Sequence, residues 1–159
     1  MVYDRGGDRP AFYAYLIENN RNFIIRLKGR SVMSWKGMHY VHDLAKECIM
    51  RHSHHVTFDS HGKECNLPIS FGAMPIRLPM HPDKELHLVV VKGFGKDPMM
   101  LITSLPTDCS FKSQWRVVQG YLSRWRIEET IRFVKQSYGF ENIRVMSYAS
   151  IRNMAALVL

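Results

Sequence analysis

Cysteine is scarce and scattered in this chain. Cys48, Cys65 and Cys109 are the only three in 159 residues, too few for a disulfide framework, and their odd number fits a reducing, cytosolic setting. Long apolar runs are also missing. Stretches such as Leu86–Val91 and Met154–Leu159 fall well short of the roughly 20 residues that a membrane helix needs, so no membrane association is expected. The first ten residues, MVYDRGGDRP, contain no apolar signal core. No internal repeat, linker or low-complexity segment interrupts the chain. Acidic residues are the other deficit: 14 Asp and Glu face 22 Lys and Arg, a formal net charge of +8. That imbalance argues against an acidic or neutral surface and for a polyanionic partner, with nucleic acid the first candidate.

What is present is an ordinary globular composition, 46% hydrophobic and 23% charged, long enough for one domain with a sizeable core. The basic charge concentrates late in the chain, where the segment from Lys112 to Arg152 alone carries +5. Within it lies YLSRWRIEETIRFVK, Tyr121 to Lys135. At about 100° per residue, Tyr121, Arg124, Glu128 and Lys135 fall within an arc of roughly 60° on one helix face. Ile127, Ile131 and Val134 border this stripe on one side, and Leu122, Trp125 and Phe133 on the other. A carboxylate amid three phosphate-seeking groups is thereby held between packed surfaces. The bland alternative is a solvated helix face laced with weak ion pairs.

Taken in order, Val2-Tyr3 reads as a strand end delivering Asp4 into a turn made by Arg5-Gly6-Gly7, where glycine permits positive φ. Asp8 and Pro10 then suggest an N-cap and a first-turn proline for a helix that stops near Asn19-Asn20. Asn22–Lys28 reads as a strand, completing a strand, helix, strand unit. From Gly29 to Pro106 short β-type runs predominate: Val56–Phe58, Pro68–Phe71, Pro75–Leu78, Leu86–Val91 and Met99–Ser104. Only the stretch from His42 to Met50 hints at a helix. Thr107 or Asp108 can cap a long helix from about Phe111 to Ser137, with Gly139 as its stop and Gly120 a weak point costing about 1 kcal/mol relative to alanine. A further helix is expected from Ser147 or Ser150 onward.

These residues carry a resemblance. Tyr121, Arg124, Glu128 and Lys135 match the Y-x2-R-x3-E-x6-K signature of the IS4-type DDE transposases. The following Tyr138-Gly139-Phe140 and Ile143-Arg144 are similar to that family's C-terminal part, while VYDRGGDRPAFYAYL and FIIRLKGR resemble its second-aspartate region. The resemblance implies an α/β fold: a partial RNase H-like core interrupted by a β-rich insertion. Residues 1–28 would form the core strand-helix-strand, 29–106 the insertion and 107–159 the C-terminal helices. It further implies that Asp4 and Glu128 are catalytic, metal-binding carboxylates for Mg²⁺, with Mn²⁺ a possible substitute, since hard cations take oxygen ligands. Tyr121, Arg124 and Lys135 would grip double-stranded DNA at the ends of a bacterial insertion sequence. Arginine and lysine suit phosphate physically. The implied reaction is hydrolytic nicking followed by strand transfer to target DNA in the cytoplasm, at the nucleoid.

One carboxylate of that family's set is expected before Met1, because its first aspartate precedes the one matched by Asp4. The expectation is therefore a fragment, inactive alone, that could pair with itself or with a full-length transposase. The alternative function is a basic DNA-binding remnant without chemistry that interferes with the full-length enzyme.

Other constellations are weaker. Trp125 and Trp115 offer aromatic faces to unpaired bases, with core packing as the competing role; Trp125, lying inside the signature, stays among the DNA-contact candidates. His52, His54, His55, His61 and Cys65, with Cys48 upstream, have residue types that suit zinc but fit no standard spacing. KGFGKD around Gly93 and Gly95 lacks the Walker spacing and reads as a hairpin turn. No Ser/His/Asp or Cys/His arrangement stands out.

Overall fold

The structure is a computed structural model that describes residues 1–60 and 63–137; side chains at 58–60, 63–64 and 125–137 fall outside the description. The expected Gly139 stop, the late helix from Ser147 or Ser150 and the Tyr138–Arg144 segment lie outside the described residues. Two compact units are present, Met1–Ser123 and Arg124–Leu159.

In the first unit, β1 (Val2–Tyr3), α1 (Pro10–Glu18) and β2 (Ile24–Arg26) form the expected strand, helix, strand unit, with β1 and β2 paired in parallel. Asn20, at φ 50°, follows α1. Two local expectations are corrected. The Arg5–Gly7 turn is a single 3-10 turn and neither glycine has positive φ. Gly7 is needed for space instead, because a Cβ there would come within 2.8 Å of the Tyr3 Cβ. Asp8 also does not cap α1: the N-cap is Arg9, without a side-chain hydrogen bond, and Asp8 is engaged elsewhere.

After β2 come β3 (Ser31–Ser34), β4 (Gly37–Tyr40), α2 (Val41–Glu47), β5 (His52–Ser60), β6 (Lys63–Leu78), β7 (His81–Lys92) and β8 (Met99–Thr103). The eight strands join in the order β1-β2-β8-β7-β6-β3-β4, with β5 also on β6. Every described pairing except β1 with β2 is antiparallel. The strands are longer than the sequence runs suggested because Pro68 and Pro75 do not end them. A proline cannot donate to a ladder and so needs one unpaired side. Pro68 pairs with His55 of β5 ahead of Ser70, where pairing of β6 with β7 begins, and Pro75 pairs with His87 of β7 beyond Phe71, where pairing of β6 with β5 ends. The KGFGKD segment is the β7–β8 connection, with Gly93 at φ 120°.

The central strands are buried on both faces, with Met99–Thr103 entirely so. Ile25, Leu88, Val90, Met100 and Ile102 pack with Tyr13 and Leu16 of α1 and Leu44 and Ala45 of α2. Strand alternation sends Ile24, Val89 and Leu101 to the opposite face. There α3 (Phe111–Ser137) approaches: Gly120 lies over β2, and a Cβ on it would meet the Ile24 Cδ1 at 3.0 Å. The expected weak point is a contact point. The α3 bounds are as anticipated, but the cap is Ser110, whose Oγ accepts from the Ser113 N–H at 3.3 Å. Asp108 braces that cap by accepting from the Ser110 N–H at 3.0 Å and from the Ser110 and Ser113 hydroxyls.

Candidate functional site

Alternation along β1 and β2 sets the site. Tyr3 packs against Phe12 of α1 at 4.7 Å between ring centroids, so the next residue, Asp4, faces the other side of the sheet, where α3 lies. Ile24 belongs to that side, and so does Arg26 two residues on. Asp4 has extended backbone, does not cap the 3-10 turn that follows, and keeps an exposed surface. An ionised carboxylate is thus displayed at the C-terminal end of a strand in a parallel pair.

Tyr121 reaches this carboxylate from α3. Its hydroxyl donates to Asp4 Oδ1 at 3.0 Å, across 117 residues of sequence. The side chain is fully buried, and burial is the main cause of a phenol pKa raised above its ordinary value, with the Asp4 charge adding to the rise and Arg26 opposing it. The hydroxyl therefore stays protonated and is a standing donor. The Arg26 charge acts on the same hydroxyl in the opposite sense to burial, favouring release of its proton, which makes the phenol a stronger donor to Asp4. Tyr121, expected to grip DNA, has its ring buried and its hydroxyl engaged by Asp4.

Of the other anticipated site residues, Arg124 is half-buried and opens the second unit. Glu128 and Lys135 lie on α3 by its assigned span, as does Trp125, but their side chains lie outside the description. Trp115 is not a free aromatic platform: it contacts His54 at 4.4 Å and Phe71 at 5.9 Å between centroids. His52 sits against Phe71 and Phe111, each at 5.6 Å. Its Nε2 lies 2.9 Å from the Cys109 carbonyl oxygen. His52 and His54 of β5 are thus partners of an aromatic cluster. Cys48 is in the core, where burial pushes its thiol pKa up, and His61 lies outside the described residues.

Arg26 was missed as a site residue. The only signal for it is its place two residues after Ile24 on a strand parallel to β1. Asp8 is a different kind of centre. Its side chain is 3% exposed, its Oδ1 lies 2.7 Å from Arg30 Nε as an ion pair not aligned for a hydrogen bond, and its Oδ2 accepts from the Lys28 N–H at 2.8 Å. Tyr13 donates to it at 3.3 Å, and the Arg30 guanidinium lies 4.6 Å from the Tyr13 ring centre.

The chain matches the family described as transposase DDE domain over residues 1–159. It belongs to that transposase family. No curated protein matches it. Transposases of this kind act on DNA, their DDE domain is RNase H-like, and they use divalent metal ions. Asp4 fits such an ion as one ligand, being anionic, hard and exposed at a strand end. Among the described residues, no group of three or more His, Cys, Asp or Glu is arranged to hold a metal. No helix among them is long and apolar enough to cross a membrane.

Proposed function

We propose that this chain belongs to the IS4-type transposases, with residues 1–28 supplying a core strand-helix-strand, 29–106 an insertion and 107–159 the helical segment with the glutamate. Asp4 and Glu128 are its catalytic carboxylates and ligands for Mg²⁺, or Mn²⁺ in its place. Arg124 and Lys135 contact the phosphates of transposon-end DNA, with Trp125 beside them. The observation that carries this reading is Asp4 itself, an exposed carboxylate at the end of β1 that accepts a hydrogen bond from Tyr121, the first residue of the signature. A bound divalent cation would supply activation of the attacking oxygen and stabilisation of the leaving one during in-line displacement. The residues of this chain hold the charge that attracts it and, through arginine and lysine, keep the phosphate in register.

Two carboxylates bind a divalent ion weakly, so the 159-residue polypeptide tested by itself is expected to bind duplex DNA without cutting it. Binding should weaken steeply with salt as phosphates regain their counterions. The test is a nicking assay on labelled end-sequence duplex with Mg²⁺. Mg²⁺-dependent nicking that disappears in Glu128→Ala would overturn the inactivity and affirm the chemistry. The second reading, a DNA-binding module that acts by mixed dimers with a full-length transposase, is favoured by the +5 charge between Lys112 and Arg152. DNA affinity that is unaffected by Mg²⁺ and by Asp4→Asn, together with dominant inhibition of an active transposase, would select it.

A further inference from the structure

Tyr121 is a buried phenol whose hydroxyl donates inside the protein, to Asp4. Three features place it there. The glycine before it removes the side chain that would push α3 away from Ile24 of β2. Its ring is fully enclosed. Its hydroxyl ends 3.0 Å from Asp4 Oδ1, and the Arg26 charge favours release of its proton. Asp4, in turn, does not use its carboxylate to cap the turn it precedes.

We propose that Tyr121 is a positioning residue for Asp4, whose hydroxyl fixes the carboxylate at the end of β1 in the one orientation in which it meets a divalent cation. Groups that hydrogen-bond a metal-binding side chain orient it and set its basicity, and their loss costs about 10- to 100-fold in metal affinity. Arg26 strengthens the donor by withdrawing charge from the phenol oxygen. The inference rests on Asp4 being the metal-binding carboxylate, and it assigns Tyr121 to the protein side of the site rather than to DNA.

The experiment is Mn²⁺ titration of the full 159-residue chain, read by water-proton relaxation, with the unfolding midpoint measured on each variant. Asp4→Asn is expected to lose at least about 10-fold in affinity. Tyr121→Phe, which keeps the ring and deletes only the hydroxyl, is expected to lose about 10-fold with its midpoint little changed, and Tyr3→Phe is expected to bind as the parent does. Wild-type affinity in Tyr121→Phe alongside loss in Asp4→Asn would overturn the positioning role while leaving Asp4 a ligand. Wild-type affinity in Asp4→Asn would overturn the metal-site reading and the positioning role with it. Asp4→Glu keeps the charge and the Tyr121 ring but moves the carboxylate by one methylene. It is expected to lose affinity comparably, and full affinity there would show that orientation is immaterial and refute the proposal even if Tyr121→Phe failed to fold.

Discussion

Asp4 and Asp8 stand four residues apart on either side of one 3-10 turn, and their surroundings differ in almost every respect. Asp8 is enclosed, its two oxygens held by an arginine, a tyrosine and a backbone N–H from the chain beyond β2. Asp4 keeps an exposed surface and takes a hydrogen bond from a tyrosine that is itself buried. A carboxylate satisfied on all sides by protein stiffens a fold. One steered by protein at an exposed position is placed where a ligand can reach it. The difference follows from strand alternation and chain direction, since Asp4 follows Tyr3 onto the α3 face whereas Asp8 turns back under Lys28 and Arg30.

Breaking each aspartate in turn is the strongest test of that contrast. Asp8→Ala should cost about 3 kcal/mol in urea unfolding, because it leaves the Arg30 charge, 15% exposed, without its partner and the Lys28 N–H without an acceptor. Asp4→Asn should change stability by about 0.5 kcal/mol or less while weakening divalent-cation binding. Equal destabilisation by the two substitutions would erase the distinction.

A smaller effect sharpens the Asp4 side. Gly120→Ala gains about 1 kcal/mol of helix propensity, yet its new methyl meets the Ile24 Cδ1 at 3.0 Å, and overpacking of this sort costs about 1–3 kcal/mol. A net loss is expected, turning neutral or favourable once Ile24→Val removes that carbon. A double-mutant unfolding cycle measures the coupling.

A third aspartate gives the smallest effect. Asp108 braces the α3 cap at the surface, and hydrogen bonds from Ser110 and Ser113 lower its pKa from 3.8 to about 2. With a folded pKa below the unfolded one, its contribution is fully present above pH 3.8 and is lost as pH falls through about 2. Asp108→Asn should therefore flatten the stability profile between pH 4 and 2 as followed by circular dichroism, and it should do so without touching metal binding.

How much of this was legible in the sequence depended on distance along the chain. The β1-α1-β2 unit and the span of α3 came from local periodicity, turn residues and a proline in the first turn. Asp8 was misread as a cap because the partners that claim it arrive 20 and 22 residues later. The runs that begin at Pro68 and Pro75 belong to one strand, which the sequence does not show because it does not tell which side of a strand is unpaired. The Tyr121–Asp4 hydrogen bond spans 117 residues, so local spacing does not reveal that the two are neighbours. Arg26 was passed over for the same reason, being one basic residue among many until β2 lay beside β1.

The most direct measurement for the central claim is backbone cleavage of the 159-residue chain by hydroxyl radicals generated from bound Fe²⁺ standing in for Mg²⁺. Cuts next to Asp4 and around Glu128, suppressed by excess Mg²⁺ and absent in Asp4→Asn, are the expected result. Cuts confined to the His52–His55 strand, or cuts near Asp4 that persist in Asp4→Asn, would contradict it.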